Sequence, residues 1–75
     1  MTLAYVLCVI KSGDEDATLE KLSSFDKIKE YFMVYGEYDI IFKVVVKSPD
    51  ELREFLTKSV RGIPSIERTT TLIAV

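Results

Sequence analysis

The 75-residue chain contains no histidine, asparagine, glutamine or tryptophan, and its only cysteine is Cys8. A lone cysteine excludes a disulfide within the chain, and without histidine it leaves no ligand set for a structural zinc ion. The lack of histidine also removes the most common general base and the usual activator of a cysteine nucleophile. We therefore expect Cys8 to be a small buried core residue, and we predict no catalytic residue, metal or cofactor.

The charged residues are mixed in sign and scattered along the chain. Ten basic and twelve acidic residues give a net charge of −2. This balance argues against direct binding of nucleic acid, which requires clustered lysine and arginine. No apolar run is long enough to span a membrane, and the N-terminus shows no signal-peptide pattern. Since an unpaired cysteine fits a reducing compartment, we expect a cytoplasmic protein with neither nucleic acid nor membrane as a direct partner.

The first half of the chain predicts the order strand, helix, strand. Leu3–Ile10 is an unbroken apolar run of strand length, which indicates burial on both faces. Ser12, with Glu15 three residues later, forms a capping-box pattern that predicts a helix reaching about Ser23. Ile28–Tyr35 is predicted as the second strand, and the charged residues at its start suit a sheet edge.

A turn at Gly36 and Glu37 leads into the most apolar strand of the chain, Ile40–Val46. A glycine at the first central position suits a two-residue hairpin turn of type II′. Asp39 lies at the mouth of this strand, where a carboxylate is unexpected. Either it caps the turn through its own backbone, or it faces the cationic group of a ligand.

The second half repeats the first. Ser48 as N-cap, Pro49 in the first turn and Glu51 as the capping-box acid begin a second helix. Gly62 is suited to the C′ position after this helix, with proline as the stop. The last strand is predicted from Ser65 or Ile66 to Val75.

The order β-α-β-β-α-β predicts an α+β, ferredoxin-like fold for residues 1–75 as a single domain. Right-handed crossovers place both helices on one face of a four-stranded antiparallel sheet. The other face would then expose several hundred Å² of apolar surface from the first and third strands, more than a soluble monomer usually shows. A domain of this size is also marginally stable alone. We therefore predict a homodimer packed sheet to sheet, with Ile41 and Lys43 on the open face.

Over essentially its whole length the sequence resembles the C-terminal effector domain, or RAM domain, of the Lrp/AsnC family of transcription regulators. The resemblance rests on the apolar first strand, the Gly-x-Tyr-Asp turn at 36–39, the helix start at 47–52, and the last strand with its three threonines at 69–71. The usual N-terminal helix-turn-helix is absent, as in stand-alone members. The resemblance implies dimers assembled into higher rings, and a small effector, typically a free amino acid, bound where dimers meet.

The resemblance also implies which residues line that site: Tyr35, Gly36, Glu37, Tyr38, Asp39, Thr69 and Thr71. An amino acid's ammonium group would be bound by a carboxylate such as Asp39. Its carboxylate would accept from amides near Gly36 and from threonine hydroxyls. Thr70 should point to the opposite sheet face from its neighbours and is the weaker candidate.

Each of these residues also has a purely structural interpretation. The two tyrosines could form a cross-strand aromatic pair that flanks the turn. Gly36 could serve only the backbone conformation, and the threonines could simply be good strand formers.

Several functions fit this fold. The resemblance favours an amino-acid-binding oligomeric domain that modulates transcription by assembling with full-length Lrp/AsnC regulators or by competing with them for effector. A ligand-free oligomerisation module and the ACT domain are alternatives. A ferredoxin-like dimeric enzyme is disfavoured, because the histidine or asparagine that such enzymes commonly use is missing.

Overall fold

The computed structural model describes all residues, 1–75, as one sheet covered on one face by helices. The elements are β1 (Thr2–Ile10), α1 (Glu15–Ser23), β2 (Ile28–Met33), β3 (Ile40–Val46), α2 (Pro49–Phe55), which continues as a π-helical turn (Leu56–Val60), and β4 (Ile66–Ile73). The predicted order β-α-β-β-α-β is confirmed. Neither helix is long and apolar enough to cross a membrane.

The four strands are antiparallel in the order β2-β3-β1-β4, so the two most apolar strands are central, as predicted. Directly paired residues share a face of the sheet. Cys8 pairs with Ile40 and Val6 with Phe42, and these four side chains point to the helices. The alternate residues point to the open face, where Leu7 pairs with Ile41.

The core lies between the sheet and the helices. It contains fourteen buried apolar residues, contributed mainly by alternate positions of β1 and β3 and completed by α1 and α2. Phe25 and Phe55 pack against each other in an edge-to-face arrangement at one end of this core, with ring centroids 5.5 Å apart. Every buried side-chain oxygen and nitrogen has a hydrogen-bond partner. The helices are thus fixed to one face of the sheet.

The start of α1 differs from the prediction. The helix begins after Asp14, and Ser12 makes no cap. Ser12 and Gly13 instead form the turn before the helix, in which Gly13 has a φ of +94° and Asp14 N donates to Lys11 O at 3.0 Å. Glu15 Oε1 accepts from Gly13 N at 2.9 Å, and the Asp14 carbonyl accepts from the buried hydroxyl of Thr18 at 2.7 Å. The capping-box prediction for this helix is therefore wrong.

The start of α2 confirms the prediction. Ser48 Oγ accepts from Glu51 N at 3.2 Å, and Pro49 occupies the first turn. Glu51 Oε1 reaches back to accept from Lys47 N at 3.1 Å, one residue earlier than a standard capping box would place this bond.

The end of this helix differs. Gly62 does not adopt the left-handed conformation predicted for a C′ glycine. The helix instead widens, and Arg61 N donates to Leu56 O at 2.9 Å. A Cβ at position 62 would lie 3.2 Å from the Lys58 carbonyl oxygen, so glycine permits a close backbone approach here.

The connection between β2 and β3 is longer than the predicted two-residue turn. β2 ends at Met33 rather than Tyr35, and Val34 N donates to Asp39 O at 2.9 Å, which closes a four-residue loop, Tyr35–Tyr38. The N–H of Asp39 donates to Cys8 O at 2.8 Å, so this end of the loop is tied to β1 as well. The type II′ prediction is therefore wrong, although a glycine with positive φ is present in the loop, since Gly36 has a φ of +121°.

The open face of the sheet is apolar and uncovered within one chain. Its members are Leu3, Tyr5, Leu7, Val9, Phe32, Ile41, Val45 and Leu72. Phe32 and Leu72 are each 56% exposed, although both are large and apolar. Lys43 lies on this face as predicted, and its Nζ is 3.3 Å from Glu30 Oε2. The charge of the lysine is therefore paired within the chain.

We predict that Ile41→Asp weakens self-association, because it places an unpaired carboxylate at the middle of this apolar face. Sedimentation equilibrium of the parent at micromolar concentration should give a mass of at least twice 8.6 kDa. The variant should shift toward the monomer. Thr57→Asp is the control with matched charge, since Thr57 is exposed on the helical side. A parent that sediments only as a monomer would contradict the prediction.

Candidate functional site

The site predicted from the sequence lies at one end of the sheet, where β1 ends and β3 and β4 begin. The loop Tyr35–Tyr38 and the adjoining Asp39 form one wall of this end. The first residues of β4 form the other wall. β1 runs between them and is hydrogen-bonded to both neighbouring strands.

Asp39 holds the loop onto the end of β1. Its Oδ2 accepts from Ile10 N at 2.8 Å, and its N–H donates to Cys8 O. The carboxylate therefore accepts a hydrogen bond from the last amide of a central strand. The structural role considered from the sequence was a hydrogen bond within its own turn. Oδ1 has no hydrogen-bond partner within the chain, and the residue is only half-buried. Asp39 thus has a structural role and one oxygen left for another donor.

Tyr38 crosses from the loop to β4. Its hydroxyl lies 3.0 Å from Thr70 Oγ1, and Arg68 lies over its ring with the guanidinium carbon 5.9 Å from the centroid. Thr70 pairs with Leu7 and Arg68 with Val9, which places both on the open face. Tyr38, Arg68 and Thr70 therefore form one polar cluster at the rim of that face.

Thr69 and Thr71 lie on the helix face of β4. They pair with Cys8 and Val6, and both are half-buried. The expectation that Thr70 points to the opposite face is confirmed. However, Thr70 is the threonine that contacts Tyr38. Within one chain Tyr38 therefore meets the weaker candidate, and not Thr69 or Thr71.

The tip of the loop is fully exposed. Tyr35 has 105% relative exposure, and Gly36 and Glu37 are exposed as well. Phe25 and Phe55 form the only aromatic pair in the structure, so Tyr35 and Tyr38 do not stack across the turn. No heavy atom lies within 4 Å of a Cβ added at position 36. Glycine is therefore favoured there by the positive φ and not by crowding.

Two depressions flank this end of the sheet and carry opposite charges. The first has a volume of about 500 Å³ and is lined by Asp39 and Tyr35 together with Glu15, Asp16, Met33 and Val34. The second has a volume of about 340 Å³ and is lined by Thr69 together with Arg61, Ile66, Glu67 and Arg68. One depression thus presents carboxylates, and the other presents two guanidinium groups and one carboxylate.

Arg68 was missed by the sequence reasoning. Its position in the sequence, immediately before the three threonines predicted near the site, was a signal that could have identified it. Alternation along β4 places Arg68 on the same face as Thr70, but its contact with Tyr38 depends on the path of the loop Tyr35–Tyr38, which is not visible in an apolar pattern.

Cys8 has no chemical role that the structure supports. Its side chain is fully buried on the helix face of β1. Burial raises the pKa of the Cys8 thiol to about 12, so the thiol is protonated at neutral pH and is not a nucleophile. The structure contains no group of three or more acidic or cysteine side chains arranged to hold a metal ion.

This fold and arrangement match a known family. The model of the Lrp/AsnC ligand binding domain matches residues 3–75. The chain therefore belongs to the Lrp/AsnC ligand binding domain family, the domain found in regulators of transcription.

Curated relatives are named as regulators. The chain is 32% identical over 71 residues to the HTH-type transcriptional regulator FL11 of Pyrococcus horikoshii, a match that covers 95% of this chain and 46% of the relative. The chain thus spans about half the length of the curated relatives that it matches.

Solved structures agree with this assignment. The crystal structure of FFRP-DM1 superposes with a TM-score of 0.97 at 40% identity, with all of both chains covered. AsnC of Escherichia coli gives a TM-score of 0.94 at 32% identity, covering 99% of this chain and 50% of that one. A transcriptional regulator of Neisseria meningitidis, solved in complex with L-methionine, shares the fold with a TM-score of 0.90 at 10% identity.

Two substitutions separate the structural and charge roles of Asp39. Asp39→Ala leaves Ile10 N without its acceptor, which we expect to cost about 1–2 kcal/mol and to lower Tm by roughly 5–15 °C. Asp39→Asn keeps a carbonyl oxygen for that amide and should melt close to the parent. Circular dichroism melts at equal protomer concentration measure both. Equal melting of the alanine variant and the parent would show that this bond does not stabilise the fold.

Proposed function

We propose that this chain is an amino-acid-binding effector domain that acts in an oligomer and modulates transcription through full-length Lrp/AsnC regulators. The observation that carries the proposal is Asp39, a half-buried carboxylate with one oxygen free, placed between an exposed glycine loop and the threonine-bearing start of β4.

Asp39 suits the ammonium end of an amino acid. A charge-assisted hydrogen bond from an ammonium group to a carboxylate is among the stronger polar contacts. The depression on this side also contains Glu15 and Asp16, and no basic residue lines it. A cationic group would therefore meet favourable charge before it reaches Asp39.

The proposed donors for the carboxylate end are the loop amides near Gly36 and the hydroxyl of Thr69 or Thr71. Within one chain Tyr38 is bonded to Thr70, so the full set would form only when a second copy covers this end of the sheet. Tyr35 supports such a cover, because an aromatic ring that is completely exposed in one chain gains by burial at a contact.

The relatives support a role linked to transcription. FL11 of Pyrococcus horikoshii and AsnC of Haemophilus influenzae are named as regulators, and the regulator of Neisseria meningitidis was crystallised with an amino acid. The proposed route of action is mixed assembly with a full-length regulator in the cytoplasm, or competition with it for the effector.

A ligand-free oligomerisation module is the second candidate. The apolar open face supports it directly, because that face would drive association whether or not an effector binds. An enzyme has less support, since the relatives are regulators and Cys8 is buried and protonated.

We predict that at least one free L-amino acid at millimolar concentration raises Tm, because a ligand that binds only the folded state stabilises it. Calorimetric titration of Asp39→Asn should then give an affinity about tenfold to a hundredfold weaker than the parent, since the charge-assisted bond to the ammonium group is lost. Glu54→Gln, an exposed position on the helical side, is the control.

Two outcomes would contradict the proposal. If no amino acid shifts the melting of the parent, the oligomerisation module is the better account. If amino acids bind Asp39→Asn and the parent equally, Asp39 is a structural cap alone and the ligand lies elsewhere.

We also predict weak intrinsic binding to DNA. The net charge is −2, and the basic residues do not form a continuous stripe. Electrophoretic mobility shifts of the purified protein should be absent at physiological salt and micromolar protein. Tight binding that weakens steeply with salt would contradict this expectation, because it would require several phosphate contacts.

A further inference from the structure

The two depressions of opposite charge lie on opposite sides of β1 at the same end of the sheet. The acidic depression, beside the start of β3, is lined by three carboxylates and no basic residue. The basic depression, at the start of β4, is lined by two guanidinium groups and one carboxylate. Because β1 lies between β3 and β4, these strands are two strand spacings apart, about 10 Å.

The charges of these depressions are not paired within the chain. Asp16 on the acidic side and Arg61 on the basic side are both exposed, and neither takes part in any of the three ion pairs of the structure. Arg68 also lacks a paired carboxylate, and its guanidinium lies over the ring of Tyr38. Each depression therefore presents a charge that another molecule can neutralise.

Two neighbouring patches of opposite charge are self-complementary under a two-fold rotation. When the ends of two copies meet about such an axis, the acidic depression of each copy faces the basic depression of the other, and the same contact forms twice. The separation of about 10 Å leaves room for the axis to pass between the two depressions.

We propose that this end of the sheet binds the same end of a second copy through a charge-complementary contact, in which Asp16 faces the partner's Arg61. This contact is separate from the packing of two open sheet faces, because that surface is apolar. It does not rest on the proposed amino-acid binding. A second copy is the occupant because one chain carries both halves of the contact.

Tyr35 supports the same occupant. It lines the acidic depression and is completely exposed in one chain. In the two-fold arrangement its ring would meet the basic depression of the partner, and arginine side chains stack on aromatic faces. Tyrosine and arginine are also enriched where proteins contact one another. The surface thus offers shape and aromatic contact in addition to charge.

Salt separates this contact from the packing of the open faces. Added salt screens exposed charges and does not weaken apolar burial. Without added amino acid, sedimentation equilibrium of the full chain in about 0.05 M sodium chloride should give a mass above that of the dimer. In about 0.5 M salt, where the screening length is shorter, the mass should fall to twice 8.6 kDa.

Charge reversal tests the pairing directly. Asp16→Lys places two cations against each other, and Arg61→Glu places two carboxylates against each other, in both halves of the contact. Each variant should associate at this end at least about tenfold more weakly than the parent in low salt, because like charges repel. The double variant Asp16→Lys with Arg61→Glu restores opposite charges in both halves and keeps the net charge, so it should assemble like the parent.

Mixing gives a second test of the same pairing. An equimolar mixture of the two single variants should also assemble, since each supplies the charge that the other lacks. Glu20→Lys and Arg53→Glu make the same charge changes at exposed helix positions outside both depressions and serve as controls. They should assemble like the parent.

Recovery in the double variant also excludes a folding defect as the cause of the single-variant losses. A parent that does not exceed the dimer, or whose mass is insensitive to salt, would contradict the proposal. So would single variants that assemble normally, or a double variant that does not recover. In those cases the depressions bind a small ion or a different protein, and not a second copy. None of these measurements involves an amino acid, so their outcome leaves the proposed function to its own test.

Discussion

The structure depends on a sheet with two apolar faces and helices for only one of them. In β1 and β3 the alternate positions are apolar on both sides, so burial of the helix face leaves Leu7 and Ile41 without cover. The hydrophobic effect scales with the apolar area removed from water. A 75-residue domain buries a smaller fraction of its surface on folding than a larger domain does. Association through the open face is therefore the expected source of the missing burial.

The same geometry positions the candidate site. Because β1 lies between β3 and β4, its last residues bring the loop after β2 and the start of β4 to one end of the sheet. Asp39 binds this end through Ile10 N, and Tyr38 reaches Thr70 across it. Polar groups that are far apart in the sequence thus gather at the rim of an apolar surface, where an effector and a second copy could both contact them.

The element order could be predicted from the sequence because periodicity and caps are local. The alternation along Leu3–Ile10 and the Ser48 cap needed no tertiary information. The errors have tertiary causes. A turn that contains Ser12 and Gly13 keeps Ser12 out of the helix cap, and the bond from Val34 N to Asp39 O closes a loop of four residues instead of two. A sequence pattern does not register such contacts.

Part of the site could also be predicted, because some of its features are local in the sequence. A carboxylate beside a glycine loop is visible in the sequence, and Asp39 was named from it. The contact of Tyr38 with Thr70, and the position of Arg68 over its ring, depend on the path by which the loop crosses β1 to reach β4. Alternation along β4 correctly assigned the threonines to opposite faces, but it could not show which face Tyr38 would cross.

The most direct test of the account is a crystal structure of the protein grown with a mixture of free amino acids. The account predicts electron density for one amino acid at the end of the sheet where copies meet, with its ammonium group within hydrogen-bond distance of Asp39 and its carboxylate facing the loop amides near Gly36 and Thr69 or Thr71. An assembly formed in the same mixture with that end filled only by water, or with the amino acid bound away from Asp39, would contradict it.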